Sequence, residues 1–288
     1  MSGFLIMTDY LKIDFEFLNN EQKEIIIALL SEMNYEGFEE EGDLLVAYIS
    51  AHLYDEKELK NFAGGHQLSF SVEEIQNKNW NSEWESNFHP VVINHLSNGL
   101  PFVGIRADFH QPLKNVEYEI VITPKMSFGT GHHATTSMMI QMMSEMDLKE
   151  KTVLDFGTGT GVLAILSEKL GAKRIKAIDS DDHSIENAAE NFQANNCAGI
   201  SLFKASSAET GEMFDVILAN IIKNVIVDNL HSFATQLNPG GTIILSGLLK
   251  DDEAEIVSHS LEQNLYLYRK IETDNWICLE MSPNQPGG

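Results

Sequence analysis

Two glycine-rich segments carry the residues best suited to chemistry, and 16 residues (137–152) separate them. The first, Met126–Thr136, reads Met-Ser-Phe-Gly-Thr-Gly-His-His-Ala-Thr-Thr and offers hydroxyls and two imidazoles beside flexible backbone. The second, Val153–Gly161, reads Val-Leu-Asp-Phe-Gly-Thr-Gly-Thr-Gly. There an apolar run ends at Asp155-Phe156, glycines follow at 157, 159 and 161, and a helical pattern begins with Val162, Leu163, Ile165 and Leu166. Strand, glycine turn and helix in that order open an α/β nucleotide site, where glycine lets the backbone approach a ligand closely.

The spacing discriminates among ligands. A dinucleotide fingerprint requires G-x-G-x-x-G, with a pyrophosphate over the helix N-terminus. Here the third glycine comes one residue early, and Val162 stands where the dinucleotide pattern needs glycine. A phosphate-binding P-loop needs Gly-Lys-Ser/Thr after the turn, and none follows. The D-x-G-x-G-x-G form is instead associated with S-adenosylmethionine (SAM), which makes Asp155, Gly157, Gly159 and Gly161 candidate cofactor residues. Lys176-Ala-Ile-Asp179 reads as the next strand, with Asp179 22 residues after Gly157. A carboxylate at that strand end can accept both ribose hydroxyls, each charge-assisted bond contributing roughly 1.5–3 kcal/mol.

Around these motifs the chain reads as two domains. Residues 1–76 follow the order β-α-β-β-α-β of a small ferredoxin-like α+β domain. The elements are a strand at Tyr10–Leu18, a helix at Glu21–Met33, a hairpin of Gly37–Glu40 with Leu44–Ser50, a helix at Asp55–Ala63 capped by Asp55, and a strand at Gln67–Glu73. Residues 77–95 form a linker helix in which Trp80, Trp84 and Phe88 recur every four residues as an aromatic packing face, ended by Pro90. Residues 96–288 form the second domain. A strand pair (Phe102–Arg106, Glu119–Thr123) and a Met-rich core helix (Ser137–Met146) lead into it. Strands at 152–156, 174–179, 200–204 and 215–219 alternate with helices at 162–170, 184–195 and 224–237. Pro239-Gly240-Gly241 turns into a strand at Thr242–Ser246, and a helix (Asp252–Gln263) and two strands complete a mostly parallel, Rossmann-like sheet.

Composition narrows the partners. The 288 residues carry 43 acidic and 19 basic side chains, a formal charge of −24 at pH 7. Such a field argues against free nucleic acid, whose binding needs basic contacts to phosphate; it suits a basic protein steered electrostatically, although acidity taken alone is explained more simply by solubility. No run of 18 apolar residues and no charged-then-apolar leader is present, so neither a membrane partner nor secretion is expected. Cys197 and Cys278 make no metal spacing, which fits a reduced, cytoplasmic protein without a metal.

Four blocks together resemble the bacterial methyltransferases of ribosomal protein L11, the PrmA family. They are Trp80–Pro90 (Trp…Trp…Asn-Phe-His-Pro), Phe128–Thr136, Val153–Gly161 and Ala219-Asn220-Ile221-Ile222. The first two are specific to that family; the third, with Asp179, is shared across class I methyltransferases. The resemblance implies a class I methyltransferase domain that uses SAM to methylate lysine or N-terminal amino groups of that basic ribosomal protein. It also implies an N-terminal domain that recognises the substrate and a flexible linker that lets it reorient. Carried over by motif, Thr136, Gly157, Asp179 and Asn220 contact SAM; separately, a monomer is expected. The loop departs from the family's Thr-His-Pro-Thr-Thr: His133 keeps the family histidine, while His132 and Ala134 replace Thr and Pro, which predicts a more mobile loop. Ala205-Ser206-Ser207 follows the third strand, where many class I enzymes place an acid that reads adenine, so backbone or Ser206 takes that role.

A lysine amine must be neutral to attack a sulfonium methyl, and at pH 7 this costs roughly 4–5 kcal/mol from a reference pKa near ~10.4. Asn220 is expected to orient the amine through its side-chain oxygen, and His133 is the candidate proton acceptor. Asn220-Ile-Ile differs from the Asn-Pro-Pro-Tyr of enzymes that methylate planar nitrogens, which favours an sp3 amine. The alternatives are a SAM-dependent N-methyltransferase of another protein or a small amine, and a non-catalytic SAM-binding module.

Overall fold

The computed structural model describes residues 10–16, 23, 26–27, 29–30, 33–35, 37–41, 44–66, 68–75, 88–123 and 131–284. The chain divides into two compact units, Met1–Glu83 and Trp84–Gly288. Most of the expected helix at Glu21–Met33, the aromatic positions Trp80 and Trp84, and the start of the first glycine segment lie outside the described residues.

In the first unit, strands β1 (Tyr10–Glu16), β2 (Phe38–Glu41), β3 (Leu44–Ser50) and β4 (Ser69–Ile75) form an antiparallel sheet in the order β2-β3-β1-β4. Its period-two alternation buries Leu11, Ile13 and Phe15 of β1 on one face. Leu59 of helix α1 (Glu56–His66) and the helical residues Ile26 and Leu30 share that core. Asp55 caps α1, its Oδ1 accepting the amides of Lys57 (2.8 Å) and Glu58 (3.1 Å). Two central strands, two flanking ones and helices on one face make the expected ferredoxin-like arrangement.

The second unit opens with a sheet that the sequence reading had only in part: β5 (Val91–Asn94), β6 (Pro101–Ala107) and β7 (Tyr118–Ile122), in that order. β5 runs antiparallel to β6, and β6 parallel to β7. Residues 91–94, which the sequence reading left in the linker stretch beyond the Pro90 stop, form a strand of this unit, and Phe88 is buried in its core.

The larger sheet has the order β10-β9-β8-β11-β12-β14-β13. Its strands are β8 (Thr152–Phe156), β9 (Arg174–Asp179), β10 (Ile200–Lys204), β11 (Phe214–Asn220), β12 (Leu237–Leu249), β13 (Tyr266–Thr273) and β14 (Trp276–Ser282). The first five are parallel to their neighbours, and β14 joins antiparallel to β12 and β13. Both faces are covered, so the central strands are apolar throughout rather than alternating. Val153, Val216 and Leu218 face a core shared with α2 (Ala134–Met143) and α3 (Val162–Lys169). Leu154, Ile217 and Ala219 face the other core, shared with α5 (Lys223–Thr235) and α6 (Glu253–Glu262). Between them in sequence lies α4 (Asp182–Ala194), whose Ala188 and Phe192 join the first core. This is the Rossmann-like class I methyltransferase fold.

Two boundaries differ from the sequence reading. Helix α2 starts three residues earlier than expected because His133 caps it. The Pro239-Gly240-Gly241 segment does not precede its strand. β12 already pairs at Leu237 with Phe214, and 238–241 bulge out before Thr242 meets Val216.

Candidate functional site

The strand order reverses between β8 and β11, the place where open α/β sheets bind ligands beyond their C-terminal strand ends. A cavity of about 510 Å³ lies there. The two adjacent strands contribute Gly157, directly after β8, and Asn220, the last residue of β11; Asp179, the last residue of β9, stands beside them.

The turn after β8 is shaped for close approach. Gly157 has φ +75°, and a Cβ there would overlap the Ile221 side chain. The amides of Gly157 and Thr158 both donate to Ile178 O, at 2.8 and 2.9 Å, which ties the turn to β9. Gly159 N donates to Asp179 Oδ2 at 2.9 Å, and Asp179 Oδ1 accepts Asp181 N at 3.0 Å. The carboxylate is thus held at the cavity wall, and its remaining lone pairs are available to a ligand's hydroxyls.

Two other residues of the glycine motif stand behind the cavity wall. Gly161 (φ +80°) is the N-cap of α3 and abuts Phe192 of α4. Asp155 is 1% exposed; its Oδ2 accepts Thr158 Oγ1 at 2.6 Å and Ala164 N at 3.2 Å, while its Oδ1 is buried without a hydrogen-bond partner among the described residues. Burial pushes the Asp155 carboxyl up to about 7, against those two hydrogen bonds, and the Asp179 charge adds to the rise. Its place in the structure is beneath the turn, bracing it.

The first glycine segment meets the site through the start of α2. Thr136, almost fully buried, accepts a hydrogen bond from Asn220 Nδ2 at 3.2 Å across 84 residues of sequence, which leaves the Asn220 oxygen for a donor in the cavity. Both residues also line a small adjoining cavity with Gly157 and Gly159. His133 lines the main cavity and caps α2, its Nδ1 lying 3.4 Å from Thr135 N and 2.8 Å from Thr135 Oγ1. Its ring meets Trp276 edge-on at 4.8 Å. His132 Nε2 donates to His89 O at 2.9 Å, and its ring packs edge-on against Phe88. Ala134 opens α2 directly after the cap, a position that suits alanine as well as proline.

Ala205 and Ser206 line the far end of the cavity, and Ser184 of α4 joins them. Near Asn220 the rim is apolar: Ile222, 67% exposed, and Trp276. Sequence reading missed Trp276 and Gly247 because they arrive from β14 and β12, far along the chain. Ser184 carried a weak signal as the third residue of a helix opening after Asp179. Among the described residues, no group of three or more His, Cys, Asp or Glu side chains is placed to hold a metal ion.

Comparison with known proteins places these features in a family. Residues 13–284 match the family model described as ribosomal protein L11 methyltransferase (PrmA). The chain is 36% identical over 270 residues to the ribosomal protein L11 methyltransferase of Phocaeicola vulgatus, covering 91% of this chain and 94% of the relative. It is 34% identical over 287 residues to that of Chlorobaculum parvum, covering 96% and 97%. The crystal structure of the ribosomal protein L11 methylase of Lactobacillus delbrueckii subsp. bulgaricus superposes with a TM-score of 0.60 at 33% identity, covering 68% of this chain and 98% of that one.

Proposed function

The chain belongs to the ribosomal protein L11 methyltransferase family, and we propose that it methylates amino groups of that protein, lysine or N-terminal, with SAM bound in the cavity at the β8/β11 reversal. The observation that carries this reading is the convergence of Gly157, Asp179 and Asn220, from three strand ends, on one cavity of about 510 Å³. The walls fit the cofactor: a glycine where a side chain would fill the cradle, a carboxylate for ribose hydroxyls, and no lysine or arginine among the described lining residues to hold a phosphate. When bound, SAM supplies a methyl group activated on a sulfonium.

The chain's own residues do the rest. Gly157 and Gly159 admit the ligand against their backbone, Asp179 takes the ribose, Thr136 faces the methionine end, and Ser206 with the Ala205 backbone meets adenine. Asp155 and Gly161 support the turn from behind. The Asn220 oxygen accepts a hydrogen from the incoming amine, because its nitrogen is already committed to Thr136. Ile222 and Trp276 exclude water around the substrate side chain, which favours the neutral amine over the ammonium. Positioning is then the main catalytic contribution. His133 serves as a proton acceptor only if its Nδ1 leaves the α2 cap, because the neutral tautomer that accepts at Nδ1 carries its hydrogen on Nε2.

The N-terminal domain, 1–76, recognises the substrate, and the linker after it leads into the transfer domain, which already includes Phe88 and β5. The net charge of −24 steers a basic protein and disfavours free nucleic acid. Among the described residues no helix is long and apolar enough to cross a membrane. The protein works as a cytoplasmic monomer in this reading.

The test is incubation with radiolabelled SAM and ribosomal proteins. A labelled band at the size of L11, with label on lysine or the N-terminal amine, is expected; label only on other proteins or small amines would redirect the assignment. Asn220→Ala should lower the transfer rate with near-normal SAM affinity, and a full rate would remove Asn220 from the mechanism.

A further inference from the structure

We propose that Asn191 is a positioning residue for SAM: it locks the glycine turn from behind, so that the turn meets the ligand already in its binding shape. The proposal rests on the cavity being the SAM site.

Asn187 and Asn191 on one face of α4, with Asn195 at its C-cap, lie along the free edge of β7 and replace a neighbouring strand. Asn195 pairs with Val121 twice: its Oδ1 accepts Val121 N at 2.9 Å and its Nδ2 donates to Val121 O at 2.6 Å. One step along, Asn191 Oδ1 accepts Thr123 N at 2.7 Å and Asn187 Nδ2 donates to Thr123 O at 3.2 Å. An edge strand inside a protein needs partners for its backbone, and this ladder supplies them.

Asn191 does one thing more. Its Nδ2 donates to Thr160 O at 2.8 Å, in the glycine turn itself. Asn191 and Thr160 are both fully buried. The next residue of α4, Phe192, fills the space beside Gly161, where a Cβ would overlap its ring. The turn is therefore held on two sides. Asp179 takes the Gly159 amide at the cavity, and Asn191 takes the Thr160 carbonyl one residue later, from behind. One helix relates the two grips, since α4 starts three residues after Asp179, with Asp181 as its cap.

A turn with three positive-φ glycines has many alternative conformations once a restraint is removed. If only a fraction of molecules keeps the competent turn, the apparent affinity falls by that fraction. Losing the Thr160 bond should reduce SAM affinity, while leaving the chemistry of the bound complex unchanged. Asn195 supplies the internal comparison: same helix, same edge strand, no bond to the turn.

The experiment compares Asn191→Ala, Asn191→Ser and Asn195→Ala in the full chain by calorimetric titration with SAM, thermal melting, and methyl transfer at saturating SAM. Expected for both Asn191 variants is a Kd for SAM raised about tenfold, the effect of a competent fraction near a tenth, with kcat and the KM for the protein substrate close to wild type. Asn195→Ala should melt earlier yet bind SAM within twofold of wild type. Equal losses of SAM affinity at 191 and 195 would overturn the proposal, as would wild-type affinity in the Asn191 variants. So would failure of both Asn191 variants to fold while Asn195→Ala folds, which would mark a folding determinant instead. Absence of SAM binding by the wild-type chain would instead refute the assignment of the cavity.

Discussion

Asp155→Asn should alter how stability depends on pH. The carboxyl is fully buried beneath the glycine turn, one oxygen without a hydrogen-bond partner among the described residues, and burial raises it from its ordinary 3.8 to about 7. Between those values the folded chain holds a proton that the unfolded chain has released, so folding takes up a proton and stability falls as pH rises. The contribution is fully present below about pH 4, fades through the window and is gone above about pH 7. A displacement of that size corresponds to about 4 kcal/mol as an upper bound. Asparagine keeps an oxygen to accept from Thr158 and Ala164 but carries no titrating proton. Carboxylates held low by cationic partners, such as Glu119 by the Arg106 guanidinium and Glu212 by the Lys176 ammonium, shift the curve equally in both proteins and cancel in the difference. The assay is urea unfolding of ligand-free wild type and variant at half-unit steps from pH 4 to 8. The variant should gain on the wild type by up to about 4 kcal/mol across that range. A constant difference across the whole range would refute the reasoning, because it would mean that Asp155 ionises in the folded protein as it does in the unfolded chain.

Gly157→Ala must hold alanine at φ +75° against Ile221; the left-handed conformation alone costs roughly 1–2 kcal/mol, so calorimetry should show SAM binding at least ~10-fold weaker, and affinity within twofold of wild type would contradict the close approach. Raising ionic strength from 50 to 300 mM should increase the KM for the basic protein substrate severalfold, with little change in SAM affinity, because screening acts on the field of an acidic chain; an unchanged KM would remove steering from the account. Burial pushes the Cys197 thiol up to about 11 and the Cys278 thiol higher still, so a thiol reagent at pH 8 should label the native protein slowly and both cysteines quickly in urea; rapid labelling of native Cys278 would show that its core opens.

What the sequence determined by itself is local. The turn after β8, the carboxylate at the end of β9 and the amide at the end of β11 were legible because each sits where an apolar run stops, and strand ends are written in a few consecutive residues. Glycine at 157 was legible for the same reason: a positive φ is a property of one residue. The ferredoxin-like order of the first unit followed from period-two and helical alternation, which again needs only short windows. The motif also grouped Asp155 and Gly161 with the ligand contacts, and the linker stretch was drawn through residue 95. Motif spacing carries no information about which side of a turn faces solvent, and a short apolar segment such as 91–94 becomes a strand only when β6 is there to pair with it.

Only the tertiary structure brought Thr136 to Asn220, His133 to Trp276, and Asn191 to both Thr123 and Thr160. These contacts join residues tens to more than a hundred positions apart. They exist because two sheets and α4 pack with their buried backbone groups satisfied, a condition on the whole domain that no single segment can express.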